Sequence, residues 1–177
     1  IQELVYTTPG QKEELMTSTD LSHRDSRWVS EARVVGAHAE RTLKDLLTTA
    51  LGNDFEVQAP VPKLKVYSDG KGIVPDMCVV NRHTGKRIFI EKKAGNKGGN
   101  AHERVYKYLS PALKETVSGM FDTPDNPFFL IFSGETFQEQ KYLNEFRLLL
   151  RNDNYAVMLR GNTNISEVAD QIKELLL

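Results

Sequence analysis

The sequence predicts an α/β domain built on a central mixed β-sheet flanked by helices. Three observations carry that expectation. Short β-branched and apolar runs alternate with stretches of helical periodicity, in the order α-β-β-β-α-β-α-β-α. Residues 73–80 and 88–92 flank the turn-forming Asn81-Arg82-His83-Thr84-Gly85-Lys86, which reads as a hairpin and therefore an antiparallel pair. Residues 128–132 are apolar throughout, as in a strand covered on both faces.

Taken in order, residues 1–25 show little periodicity and read as loop with at most one short helix. From 27 to 51, Ala32, Val35, Ala39, Leu43, Leu46, Leu47 and Ala50 recur at helical spacing, and Gly52-Asn53 supplies the stop. Residues 55–61 alternate as a strand, with 63–67 as its continuation beyond Pro62, and the hairpin 72–93 follows. A glycine-rich link leads into a helix from Asn100 to about Leu109. Ser110-Pro111 then marks a restart, with Ser as cap and Pro in the first turn. An amphipathic helix over 135–151, a strand over 155–159 and a helix over 165–177 complete the chain.

The 177 residues fit one domain with a core of its own. Cys78 is the single cysteine and lies inside a predicted strand, so no disulfide framework exists and a reducing cytoplasm is expected. No signal peptide, repeat or membrane-spanning apolar run is visible. The chain begins at Ile1 rather than methionine, so further residues are expected ahead of it. Net charge is −1, yet residues 63–107 hold eleven Lys/Arg against four Asp/Glu, and the remainder twelve against twenty. A basic face on an acidic protein suits a polyanion such as DNA, although charge runs are more often merely solvated.

The chemistry concentrates in GIVPDMCVVNRHTGKRIFIEKKAGNKGGNAHER, residues 72–104. With residues 82–85 as the hairpin loop, paired positions sum to 167 and Asp76 lies opposite Glu91; a slip of two would pair it with Lys93. In either register Glu91 and Lys93 share a face, because side chains alternate along a strand. Two converging carboxylates repel unless neutralised, and an oxygen-rich pair suits Mg²⁺. Such an ion polarises a phosphodiester and activates water, with Lys93 placed to orient the water or stabilise charge on phosphorus. For the bare spacing alone, a surface hairpin with a solvated ion pair is the commoner explanation. The preceding proline, the apolar strands and the segment that follows favour the site.

Pro75-Asp76 with Glu91-Lys92-Lys93 resembles the PD-(D/E)xK motif of type II restriction endonucleases. Gly99-Asn100-Ala101-His102-Glu103-Arg104 is similar to the recognition segment of the EcoRI/MunI branch, the MunI side more closely. The likeness continues through Pro127-Phe128-Phe129-Leu130-Ile131-Phe132-Ser133-Gly134-Glu135 and Asp153-Asn154-Tyr155, most of the chain. Two departures are a link from Lys93 to Gly99 shorter than that branch leads one to expect, and a lysine between Glu91 and Lys93. The resemblance implies the PD-(D/E)xK restriction-endonuclease-like fold over 1–177, with catalytic hairpin 72–93 and recognition loop and helix 94–109. It implies Asp76 and Glu91 as Mg²⁺ ligands, Lys93 as a catalytic partner, and Glu40 as a further carboxylate from the first helix, which an exposed helical glutamate explains equally well. It also implies a homodimer in a bacterial or archaeal cell, cutting double-stranded DNA at a short palindrome with an AATT centre.

Asn100 and Glu103 also fit a capping box, which needs no function, but the glycines before them and Arg104 do not follow from it. Asn bonds an adenine edge bidentately, Arg is a frequent base-edge donor, and Ala101 leaves room for a thymine methyl. Glu103 is placed to orient Arg104. An alternative in the same fold is a repair or junction-resolving nuclease; one from another functional class is a DNA-binding module that has lost catalysis, against which the intact Asp76, Glu91 and Lys93 speak. His23, His38, His83 and His102 show no zinc-ligand spacing, and Gly95 to Gly99 lacks the Lys-Ser/Thr ending of a phosphate loop. Trp28 and the tyrosines read as core or interface residues.

Overall fold

The computed structural model describes residues 42–95, 101–150, 155–161 and 163–177, apart from the side chains of Ala101 and His102. All of them belong to the compact unit Ala39–Leu177. The expected loop 1–25, the first part of the helix 27–51, Trp28 and Asp153-Asn154 lie outside the described residues.

Helix α1, described over residues 42–51, buries Leu43, Leu47 and Leu51, one residue per turn on a single face. Gly52 ends it with φ +78°, its N–H donating to the Thr48 carbonyl at 3.2 Å, which is the left-handed stop the sequence announces. Strands β1 (Phe55–Gln58), β2 (Met77–Asn81), β3 (Arg87–Ala94), β4 (Phe128–Ser133) and β5 (Tyr155–Leu159) form one sheet in chain order. β1, β2 and β3 pair antiparallel, whereas β3, β4 and β5 pair parallel, so the sheet is mixed as expected.

Alternation along the strands produces two apolar faces. Phe55, Val57, Met77, Val79, Ile88 and Ile90 meet α1 and α4 (Ile165–Leu176), whose Val168, Ala169, Ile172 and Leu176 are buried. Cys78, Val80, Phe89, Phe128, Leu130 and Phe132 face the other way, under Val105 and Tyr108 of the 3-10 helix Ala101–Leu109 and Val117 of α2 (Pro111–Met120). The result is helices on both faces of a sheet whose centre is apolar on each side.

Several element boundaries differ from expectation. β1 stops at Gln58 because prolines follow at 60 and 62, and residues 63–67 do not extend it. Leu64 instead bridges Ile73, each N–H donating to the other's carbonyl at 2.8 and 3.0 Å, which closes a loop ahead of β2. β2 begins at Met77, after Pro75, which has no N–H for a ladder. Residues 101–109 wind as a 3-10 helix, whose three-residue turn stacks Val105 and Tyr108 on one buried side. The restart falls where the sequence places it: Ser110 Oγ accepts the Leu113 N–H and Pro111 occupies the first turn of α2. The helix expected over 135–151 is split. A 3-10 turn, Glu135–Gln138, drives Phe137 edge-on against Phe132 (centroids 5.6 Å apart), and α3 spans only Gln140–Leu149.

Candidate active site

The hairpin adopts one of the two registers open to it. Met77 pairs Ile90, Cys78 pairs Phe89, Val79 pairs Ile88 and Val80 pairs Arg87, each summing to 167, so the two-residue slip is ruled out. The Asn81 side chain fixes the turn, its Oδ1 accepting the His83 N–H at 2.9 Å and its Nδ2 donating to the Leu176 carbonyl at 3.0 Å. One further step of this register sets Asp76 against Glu91.

Asp76 sits just ahead of β2, and its side chain takes over where the ladder stops. Phe89 N–H is directed to the β4 side, donating to the Pro127 carbonyl. The even-numbered N–H groups of β3 therefore point toward β2. Lys92 N–H has no β2 partner residue beyond Met77 and donates to Asp76 Oδ2 at 2.7 Å. The Asp76 carboxylate is thereby tied to the strand that carries Glu91 and Lys93.

Glu91 is buried, 7 % exposed, on the β3 face that also bears Phe89. Lys93, two residues on and therefore on the same face, places its Nζ 2.6 Å from Glu91 Oε1. Tyr108 of the 3-10 helix donates its hydroxyl to Glu91 Oε2 at 3.0 Å. Burial of the phenol, then the charge and hydrogen bond of Glu91, with Asp76 adding to them, raise the Tyr108 pKa well above the ordinary tyrosine value. The hydroxyl is accordingly a fixed donor rather than a base.

Asp76, Glu91 and Lys93 are thus brought together at the ends of β2 and β3. Among the described residues no group of three or more His, Cys, Asp or Glu side chains converges. Two carboxylates beside a lysine fit a hard cation of the Mg²⁺ type, which keeps several waters and takes one or two carboxylates plus substrate phosphate oxygens. Glu40, Gly99 and Asn100 lie outside the described residues. Ala101 and His102 open the 3-10 helix by their backbone, and Glu103 and Arg104 follow with exposed side chains.

The basic segment 63–107 is not one face. Arg82 pairs with Glu56 at 3.4 Å, and the Arg87 guanidinium lies 5.0 Å over the Phe121 ring. Arg82 is at the hairpin tip, six residues along β2 from Asp76 and so about 20 Å away. Among the described residues Lys93 stands at the carboxylate end, paired with Glu91, whereas Lys63 lines a cavity with Arg87 and Phe121.

Sequence reasoning read Tyr108, with the other tyrosines, as a core or interface residue and missed its contact with Glu91. A signal was present: Val105 and Tyr108 recur at three-residue spacing behind Glu103-Arg104, and a buried tyrosine hydroxyl needs a polar partner.

Pro-Asp and Glu-x-Lys at the adjoining ends of two strands of a mixed sheet define a protein of the PD-(D/E)xK class. In a comparison of folds, the chain resembles the crystal structure of MunI restriction endonuclease in complex with cognate DNA, with a TM-score of 0.58 and 23% identity, covering 71% of this chain and 84% of that one. The family model described as Type II restriction enzyme MunI matches residues 55–176, and the chain belongs to that family. The Type II restriction enzyme MunI of Mycoplasma sp is 30% identical over 130 residues; the match takes in 65% of this chain and 64% of the relative's length, just under two thirds. No helix among the described residues is long and apolar enough to cross a membrane.

Proposed function

We propose that this chain is a Mg²⁺-dependent type II restriction endonuclease that hydrolyses double-stranded DNA. The observation that carries the proposal is the convergence of Asp76, Glu91 and Lys93 in a chain whose family match runs from residue 55 to 176. Asp76 and Glu91 are the residues suited to hold the cation, with Glu40 as a third candidate. When bound, the ion supplies Lewis-acid polarisation of the phosphodiester and lowers the pKa of water. Asp76 keeps β2 and β3 in step through the Lys92 N–H. The Lys93 ammonium, held 2.6 Å from Glu91, orients the attacking water and balances the negative charge that develops on the phosphoryl oxygens. Water forms the new P–O bond, the ester P–O bond breaks, and the departing oxygen ends protonated.

Gly99, Asn100, Ala101, His102, Glu103 and Arg104 are the proposed DNA-reading segment, with Asn100 and Arg104 on base edges in the major groove. The exposure of Glu103 and Arg104 at the start of the 3-10 helix supports that role. The reading includes a homodimer whose two-fold axis matches a palindrome with an AATT centre, and the likeness to the MunI family supports it. The test is digestion of a sequenced plasmid with Mg²⁺ and mapping of the ends. Fixed cuts at an AATT-centred palindrome are expected. Cuts only at branched or damaged DNA indicate a repair or resolving nuclease, and binding without cleavage refutes the enzymatic proposal.

A further inference from the structure

We propose that Tyr108 is a positioning residue through which the DNA-reading helix sets the rotamer of the metal-binding carboxylate Glu91. The inference rests on the function proposed above and adds a physical link between reading and cutting. The two oxygens of Glu91 are held from different elements. Oε1 meets Lys93, which belongs to the same strand and travels with Glu91, whereas Oε2 meets the hydroxyl of Tyr108, which belongs to the helix that begins with the reading segment. The position of Oε2 therefore reports the position of that helix.

The link is short and stiff. From Arg104 to Tyr108 is four residues of 3-10 helix, about 8 Å of rise. Val105 and Tyr108 are fully buried, and the Tyr108 ring packs 4.8 Å from that of Phe128 on β4. A shift of the helix by one residue rotates it by about 120° and takes the Tyr108 hydroxyl off Glu91. A contact that draws Arg104 onto a base edge consequently holds the Glu91 carboxylate in one orientation, and a helix that fails to seat releases it. Tyr106 provides an internal comparison. Its hydroxyl donates to Glu145 Oε1 on α3 at 2.7 Å, so it ties the same helix down without touching Glu91.

The experiment compares Tyr108→Phe with Tyr106→Phe, each losing one hydroxyl and keeping the ring and its packing. Two quantities are measured on folded protein, checked by thermal denaturation: the Mg²⁺ concentration for half-maximal single-turnover cleavage, and the factor by which Ca²⁺ tightens binding to a cognate duplex over a single-mismatch duplex. Loss of a group that orients a metal ligand typically costs ten- to a hundredfold in metal affinity or activity. Tyr108→Phe is expected to raise the Mg²⁺ midpoint at least tenfold and to abolish the Ca²⁺ enhancement, with metal-free cognate affinity within about threefold of wild type. Tyr106→Phe, which weakens the hold on the same helix without removing a partner of Glu91, is expected to shift each quantity by less than threefold. Wild-type values in Tyr108→Phe, or equal shifts in the two variants, overturn the inference. Wild-type protein that cuts no DNA with Mg²⁺ would instead overturn the function on which it rests.

Discussion

Replacing Asp76 by alanine and by asparagine separates what its carboxylate does for catalysis from what it does for the fold. Asp76 Oδ2 accepts the Lys92 N–H at 2.7 Å in a partly buried position at the open end of the ladder. Alanine removes the acceptor, and loss of a hydrogen bond to a charged group costs about 1.5–3 kcal/mol. Asparagine keeps a carbonyl acceptor in the same place while removing the charge, and with it the repulsion from Glu91. Asp76→Asn is therefore expected within about 1 kcal/mol of wild type, the lost charge-assisted bond being offset by relief of repulsion. Both variants lose the charge proposed to hold the metal, so cleavage should fall on the order of a thousandfold or more, about 4 kcal/mol of transition-state stabilisation. Urea unfolding gives the stabilities, single-turnover plasmid cleavage the rates, and gel shift shows whether specific binding survives, as it should. If Asp76→Asn cuts within tenfold of wild type, the metal site lies elsewhere. If the two variants are equally stable, the Lys92 bond is not what fixes Asp76.

Arg104→Lys keeps the exposed charge but loses the planar fork, so competition between cognate and random duplex should show the specificity ratio falling while random-duplex affinity holds; an unchanged ratio makes Arg104 a phosphate contact. Burial pushes the Cys78 thiol up to about 12 from an ordinary value of 9.0, so the folded state resists its ionisation. Its contribution to stability is whole below pH 9 and fades by about 1.4 kcal/mol per pH unit from there to pH 12. Wild type should accordingly lose stability more steeply than Cys78→Ala over that window, and parallel alkaline limbs would contradict it. Gly134 has φ +98° and a Cβ there would stand 2.9 Å from the Gly95 carbonyl oxygen, so Gly134→Ala should destabilise by about 1–3 kcal/mol in urea. No measurable loss would show that the crossing relaxes freely.

What the sequence made legible were features set by local chemistry. The hairpin was legible to within a slip of two residues: Asn81 and Gly85 confine the turn, and such a slip leaves Met77, Val79, Ile88 and Ile90 on the same face, so alternation alone could not choose between the two registers. The Gly52 stop, the Ser110-Pro111 restart and the buried strand β4 were local signals of the same kind. The boundaries that moved were decided by partners distant in sequence. β1 ends where the loop through Leu64 and Ile73 closes, and the helix after β4 is interrupted where Phe137 reaches Phe132. The convergence of Asp76, Glu91 and Lys93 was readable because all three lie on one hairpin. The Tyr108 contact was not, since it requires knowing that the 3-10 helix folds back over β3. The basic run was legible as composition only, because the hairpin carries Arg82 and Arg87 away from the carboxylates.

The crossing of Gly95 over Gly134 has a consequence for how such a protein can be altered. Gly95 N–H donates to the Ser133 carbonyl at 2.7 Å, and a side chain on Gly95 would meet Thr136 Cβ at 3.0 Å. The chain is therefore clamped as it leaves β3, and it is anchored again at Val105 and Tyr108 in the core. If residues 99–104 read DNA as proposed, what differs between one target sequence and another can be written between those two fixed posts. Transplanting residues 96–104 from a relative, with Gly95 and Gly134 untouched, would then exchange the proposed reading head while leaving the blade in its mount. Insertions belong in that interval too, since a loop of greater length costs little when both ends are already pinned.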